Sequence, residues 1–312
     1  MPSDKAPRRR RRVGGPGSLR PSRQARTTRQ FGQRSAWWGS DLCADVAGGP
    51  DPAPSPAGRP HLGQAAVAVA PRGSRDLEIG CGAGATAVEL ARRGHLVAAL
   101  DRSPAMLQRT RNHAVTSGVG ELVRPILGDA HRLLFPTGTF DLVLALGVLS
   151  WLEEPNAAIS ELARVTRPDG HVLVTSLNSL DLASLLDPGQ TPLLAPARSA
   201  ARLAAPGLGR PRKERIRPTR YPSWSVRRQL RRSGLLPIGQ ATVGFGPFTF
   251  LGRPLLSSDR AIRVDQALQR RADHDSTLLR ASGRLHLILA RKPDPGKIYS
   301  SPGPRSRTVR EQ

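Results

Sequence analysis

The sequence predicts an α/β chain built on a doubly wound, mainly parallel sheet, and two observations predict it. Residues 76–84 read Asp-Leu-Glu-Ile-Gly-Cys-Gly-Ala-Gly, and Asp101 follows at the end of the next apolar run. That order is strand, glycine turn, helix, second strand, acidic residue. From Arg75 to Ser176, short apolar runs then alternate with stretches of helical periodicity, the spacing of a parallel α/β sheet. Charge marks where this unit lies. The 312-residue chain carries a net +24, yet residues 75–180 hold ten Lys/Arg against eleven Asp/Glu.

The elements are expected in the following order. Leu77–Ile79 is a short buried strand, and Thr86–Arg93 a helix stopped by Gly94. His95–Leu100 is a strand, and Pro104–Ala114 a helix with proline in its first turn. Leu122–Leu127 is a third strand. Phe140–Leu146 is apolar on both faces, as a central parallel strand should be. Asn156–Thr166 carries Ala158, Ile159, Leu162 and Val165 on one helical stripe. Pro168-Asp169-Gly170 reads as a turn before a strand at His171–Ser176. After a poorly periodic stretch, Ser223–Ser233 is a helix with Ser223 as its N-cap. Leu236–Phe245 is strand-like, Asp259–Arg271 a helix and Leu285–Arg291 a last strand.

Gly80, Gly82 and Gly84 let the backbone turn sharply and approach a ligand without side-chain obstruction. A carboxylate at Asp101, at the tip of the second strand, can accept both hydroxyls of a ribose. A glycine turn by itself does not choose a cofactor, because Gly80-x-Gly82-x-x-Ala85 also satisfies the looser nicotinamide-dinucleotide fingerprint.

Further motifs separate the two. LEIGCGAG (77–84), Asp101, GDA (128–130), FPTGTFDLVLALGVLSWL (135–152) and ELARVTRPDGHVLV (161–174) occur in one order. Together they resemble a class I S-adenosylmethionine-dependent methyltransferase of the type 11, small-molecule group. The resemblance implies a Rossmann-like, seven-stranded sheet whose last strand is antiparallel, with S-adenosylmethionine as cofactor and a small-molecule methyl acceptor. It places Glu78, Gly80, Cys81 and Gly82 against the methionine and ribose parts, Asp101 at the ribose with capping of the next helix as an alternative, Arg102 among the cofactor-binding positions, and Met106 near the adenine with core packing as its alternative. Asp129 would accept from the adenine amino group and the Ala130 N–H would donate to the ring. Leu146 would turn a carbonyl toward the cofactor's amino group. On the substrate side it points to Trp151 and Asn178, with loop capping as the alternative for Asn178 and core packing for Trp151. His131 is the candidate base, with an exposed, idle histidine as the alternative. No metal site is implied.

The chain also departs from that pattern. Asp169 stands where a second glycine is usual. Ser150-Trp151 replaces a histidine pair, so no base carries over from it. Residues 43–74 are rich in Pro, Ala and Gly where relatives place helices that cover the cofactor. They are expected to lie outside the native fold, and frame-shifted GC-rich DNA yields such a composition.

Composition narrows the remaining classes. Residues 1–34 are net +10 and residues 198–232 net +11. Such charge favours polyanions in general, but no interleaving of aromatic and basic residues supports nucleic-acid binding. Cys43 and Cys81 alone make neither a disulfide framework nor a metal cluster. No apolar run approaches the roughly 18 residues of a membrane span, and a cytoplasmic location is expected. The domain plan is a basic, disordered region at 1–74, a methyltransferase domain at 75–292 and a disordered tail at 293–312. Within the domain, 75–180 is the cofactor-binding core, 181–220 an insert and 221–292 the C-terminal part. Residues 177–235 are expected to form a mobile substrate-side segment, with Arg212, Lys213, Arg215 and Arg217 facing an acidic acceptor. Two rival readings stay open at this point: a nicotinamide-dependent oxidoreductase, and a non-catalytic basic binding protein that keeps the fold.

Overall fold

The computed structural model describes residues 70–191, 194–197, 200, 218–246, 248–251, 253–274 and 276–298. The basic stretch 1–34, residues 43–69, the four cationic residues between 212 and 217, and the tail beyond 298 lie outside these. What the sequence suggested for them is carried no further.

Seven strands form one sheet in the order β3-β2-β1-β4-β5-β9-β6. They are β1 (Arg75–Ile79), β2 (Leu96–Asp101), β3 (Val123–Leu127), β4 (Phe140–Ala145), β5 (Thr166–Leu177), β6 (Leu236–Val243) and β9 (Leu285–Arg291). β1 to β5 run parallel to one another, and β9 runs antiparallel to both β5 and β6. The strand order reverses between β1 and β4, the crevice where open α/β sheets take ligands. A two-stranded hairpin, β7 (Thr249–Phe250) with β8 (Arg253–Pro254), stands apart.

Strand alternation sends two sets of side chains to opposite faces. On one face Val143, Ala145, Val172, Val174, Ile288 and Ala290 join α3 (Pro155–Val165) and α5 (Ser223–Arg232) through Ile159, Leu162, Val226 and Leu230. On the other, Leu142, Leu144, Leu173 and Leu289 join Ala87, Val88, Leu90 and Ala91 of α1 (Ala85–Arg92), and Ala114 of α2 (Pro104–Thr116). Strand β4 is buried on both faces, as its apolar sequence predicts. Further helices are α4 (Leu182–Leu186), α6 (Ser258–His274), α7 (Thr277–Ser282) and α8 (Pro295–Ile298). Among the described residues no helix is long and apolar enough to cross a membrane.

Three local expectations change. Pro168-Asp169-Gly170 is not a free turn but a bulge inside β5. Phe140 faces Thr166 and Leu142 faces His171, so β5 has extra residues there. Asp169 takes φ 60°, its N–H reaches the Lys292 carbonyl at 2.9 Å, and the Lys292 N–H returns to the Gly170 carbonyl at 2.9 Å. Turn-forming residues thus serve a bulge, because Asp tolerates the left-handed region. Ser223 is the first helical residue of α5, with Pro222 in the cap position. Residues 70–74, expected outside the fold, extend the ladder. The Gly73 N–H donates to the Gly94 carbonyl at 3.0 Å, the Leu96 N–H to the Ser74 carbonyl at 2.8 Å, and Ala70 is buried.

Candidate functional site

The loop between β1 and α1 is held by both neighbouring elements. The Gly80 and Cys81 N–H groups donate to the Leu100 carbonyl at 2.7 and 3.1 Å. The Gly82 N–H donates to Asp101 Oδ2 at 3.0 Å, and the Gly82 carbonyl accepts from the Thr110 hydroxyl at 2.9 Å. Gly80, Gly82 and Gly84 have φ of 67°, 55° and 80°, but only two of them are crowded. A Cβ on Gly80 would meet Val148 Cγ2 at 2.4 Å, and one on Gly84 would meet Thr110 Cγ2 at 2.6 Å. A Cβ on Gly82 would meet nothing within 4 Å. Gly82, bonded through both its N–H and its carbonyl, thus faces open space beside the switch point of the sheet.

Asp101 closes the next turn as well, accepting the Ser103 N–H at Oδ1 over 2.8 Å. Burial raises its pKa, opposed by the N–H groups of Ser103, Gly82 and Arg102. Beside it Arg102 reaches Asp129 Oδ2 at 3.7 Å. Asp129 Oδ1 accepts the His131 N–H at 3.0 Å and pairs with His131 Nδ1 at 2.7 Å. Partial burial works against the Asp129 charge, but His131 and Arg102 outweigh it and hold the carboxyl below its usual range. The His131 side chain is not fully exposed: it is 19% exposed and is oriented by Asp129. Met106, Ala130 and Leu146 are buried, and Gly147, just past Leu146, donates its N–H to Thr175 Oγ1 at 2.6 Å.

Glu78 is 3% exposed. Burial pushes its carboxyl up to about 8, against hydrogen bonds from the Thr86 hydroxyl and the Ala87 N–H. Its Oε2 is buried with no partner among the described residues. A buried carboxylate oxygen in that condition costs free energy until a donor or cation reaches it. Cys81 lies 3.6 Å from Thr110 Oγ1. Burial, with Glu78 and Asp101 nearby, pushes its thiol well above the ordinary range, so it stays a thiol and serves as a small buried residue.

On the expected substrate side the two candidates separate. Trp151 ends a single 3₁₀ turn (Leu149–Trp151) after β4 and is half-buried. Asn178 is 1% exposed and fully used within the fold. Its Nδ2 donates to the Ala281 and Gly283 carbonyls at 2.8 Å each, and its Oδ1 accepts the Leu180 N–H at 2.9 Å. It ties the end of β5 to the entry of β9, which is the loop-capping alternative. The site residue the sequence reading missed is Thr110. Its signal was the i, i+4, i+8 spacing of Met106, Thr110 and Ala114, which makes one buried stripe of α2. Among the described residues, no group of three or more His, Cys, Asp or Glu is placed to hold a metal ion.

Comparison with known proteins agrees with this geometry. Residues 77–174 match the family model described as a methyltransferase domain. The chain is 33% identical over 106 residues to the ubiquinone biosynthesis O-methyltransferase of Pectobacterium carotovorum subsp. carotovorum (strain PC1), covering 34% of this chain and 44% of that one. It is 38% identical over 123 residues to the malonyl-[acyl-carrier protein] O-methyltransferase of Halorhodospira halophila, covering 38% and 39%. The chain thus spans less than half the length of these curated relatives. Among solved structures, a chain of the complex between the Haloferax volcanii Trm112 methyltransferase activator and its methyltransferase superposes with TM-score 0.53. It is 16% identical, covers 85% of this chain and 96% of its own, and shares the fold.

Proposed function

We propose that this chain, which carries a class I S-adenosylmethionine-dependent methyltransferase domain, transfers a methyl group to an O-, N- or C-nucleophile of a small-molecule acceptor. The observation that carries the reading is the Gly82 peptide. It is fixed on both sides by Asp101 and Thr110 and open above its Cα. The cofactor fits the residues around it. Its ammonium and sulfonium charges suit the buried Glu78 Oε2, which has no partner among the described residues. Its ribose diol suits the Asp101 carboxylate, which accepts the Gly82 and Ser103 N–H groups at separate oxygens. The sulfonium supplies an activated methyl group and its leaving group in one molecule.

The chain's own contribution is orientation and exclusion of water. We assign Glu78, Gly80, Gly82, Asp101, Arg102 and Asp129 to cofactor binding, with Cys81, Met106, Ala130 and Leu146 as the packed bed beneath. Orientation of a nucleophile in line with the methyl group supplies much of the rate. For an O- or N-nucleophile a base is also needed, and we assign it to His131, whose imidazole Asp129 orients through Nδ1. Trp151 is retained as a wall of the acceptor site, after β4.

The test is titration calorimetry of the full chain with S-adenosylhomocysteine and, separately, NAD. Binding of S-adenosylhomocysteine alone is expected. Binding of NAD without S-adenosylhomocysteine would overturn the reading.

A further inference from the structure

The carboxyl tip of β5 gathers more positive charge than its acidic neighbour balances. Leu177 ends the strand. Its carbonyl accepts the Tyr221 N–H at 2.8 Å, and it pairs in register with Leu285. Arg220 and Arg284 are therefore each one residue from a partner of the same tip. Beyond it Asp181 caps α4, with Oδ1 accepting the Ser184 N–H at 2.9 Å. Its Oδ2 is bonded by Arg220 Nη1, which also donates to Ser184 Oγ at 2.6 Å. Asp181 is 2% exposed, so this pairing is anchored in the fold.

Among the described residues Arg284 is the cation of this tip that makes no ion pair. It is exposed, and its Nη1 donates to the Gly246 carbonyl at 3.2 Å. Crowding by surrounding protein atoms and the nearby Arg220 charge lower its pKa, while Asp181 opposes them. Among the described residues Asp181, bonded to Arg220, is the one carboxylate paired with either guanidinium. Nε and Nη2 of both arginines have no partner among the described residues. These are planar donor pairs of the kind that take a carboxylate or phosphate bidentately.

The position also fits a ligand. The tip lies on the same edge of the sheet as the Gly82 loop, and the Gly147–Thr175 bond links the ends of β4 and β5 along it. Open α/β sheets bind their ligands beyond this edge.

We propose that Arg220 and Arg284 form an anion subsite that receives a carboxylate or phosphate group of the methyl acceptor. That the anion belongs to an acceptor rests on the methyl-transfer reading above; the subsite itself rests on the arginine pair.

The experiment is thermal unfolding of the full chain in sodium malonate or sodium phosphate against sodium chloride of equal ionic strength, with and without saturating S-adenosylhomocysteine. One of the two anions is expected to raise the midpoint of the wild type above chloride, and the better anion tells a carboxylate site from a phosphate site. Arg284→Gln, at an exposed position, is expected to weaken that anion at least tenfold while leaving S-adenosylhomocysteine affinity unchanged. Arg220→Lys keeps the charge beside Asp181 but removes the fork, and is expected to weaken the anion less. Equal stabilisation of the wild type and Arg284→Gln, or none by either anion, overturns the subsite. Selective anion binding without S-adenosylhomocysteine binding would keep the subsite and remove the methyl-transfer reading.

Discussion

Gly82 and Asp101, 19 residues apart, are joined by a 3.0 Å hydrogen bond from the Gly82 N–H to the carboxylate. The residue assigned to the ribose therefore also shapes the loop that faces it. Asp101→Ala removes the charged acceptor of two backbone N–H groups and of the diol. A hydrogen bond to a charged group contributes roughly 1.5–3 kcal/mol. S-adenosylhomocysteine is expected to bind at least about tenfold more weakly by calorimetry, and urea unfolding is expected to show a loss of stability as well. A loss of affinity with no loss of stability would count against the coupling.

The glycines separate folding from binding. Gly80→Ala meets both a positive φ and Val148 at 2.4 Å, and is expected to lower stability by about 2–4 kcal/mol. Gly82→Ala meets only the positive φ, so its stability loss is expected to be about 1–2 kcal/mol. Its new methyl group projects into the proposed cofactor space, and affinity for S-adenosylhomocysteine should fall by more than the change in stability accounts for. Melting curves beside binding isotherms decide it.

Glu78 sets a dependence on pH between about 4.5 and 8. Its folded pKa is about 8, against 4.5 for an ordinary glutamate. The folded state holds an extra proton between these values, so stability is complete below pH 4.5 and falls as pH rises through 8. The loss is on the order of 5 kcal/mol at most. Glu78→Gln is expected to flatten that fall in urea titrations at several pH values. A bound ammonium near Oε2 favours the ionised carboxylate, so ligand binding at pH 7 should release a proton. Calorimetric enthalpies that vary with the ionisation enthalpy of the buffer would report it.

His286 works from the acid side. It is fully buried on β9, opposite Ser176 and Thr242, and neither ring nitrogen has a partner among the described residues. Burial lowers its pKa from 6.5 to about 4. The unfolded chain therefore takes up a proton first, and stability is lost as pH falls from 6.5 towards 4, by up to about 3 kcal/mol. His286→Leu is expected to unfold at higher urea than the wild type at pH 5. The advantage should narrow at pH 7.5.

Much of this was readable from the sequence because it is local. Strand and helix periodicities recur within a few residues, and the glycine loop and Asp101 lie on consecutive elements. Loop capping was one of two readings of Asn178, but its Nδ2 partners, 103 and 105 residues away, were not readable. The Arg220–Asp181 pair spans 39 residues with the insert between. The bulge at Asp169 was misread because Pro-Asp-Gly has the chemistry of a turn, and only the paired segment at Lys292 keeps it in the sheet. The hairpin β7–β8 has two residues per strand, too few for alternation to register.

The bulge in β5 has a further consequence. Arg291 reaches across to Asp169 at 2.5 Å, and Lys292 Nζ donates to the Ala163 and Thr166 carbonyls at 2.8 and 2.7 Å. The amino end of β5, the outgoing end of β9 and the last turn of α3 are thus riveted together at the pole opposite the glycine loop. A sheet secured at one pole can let the loops of the other rearrange around successive ligands without loosening its strands. This cluster of bonds thus lies at the opposite end of the strands from the candidate site.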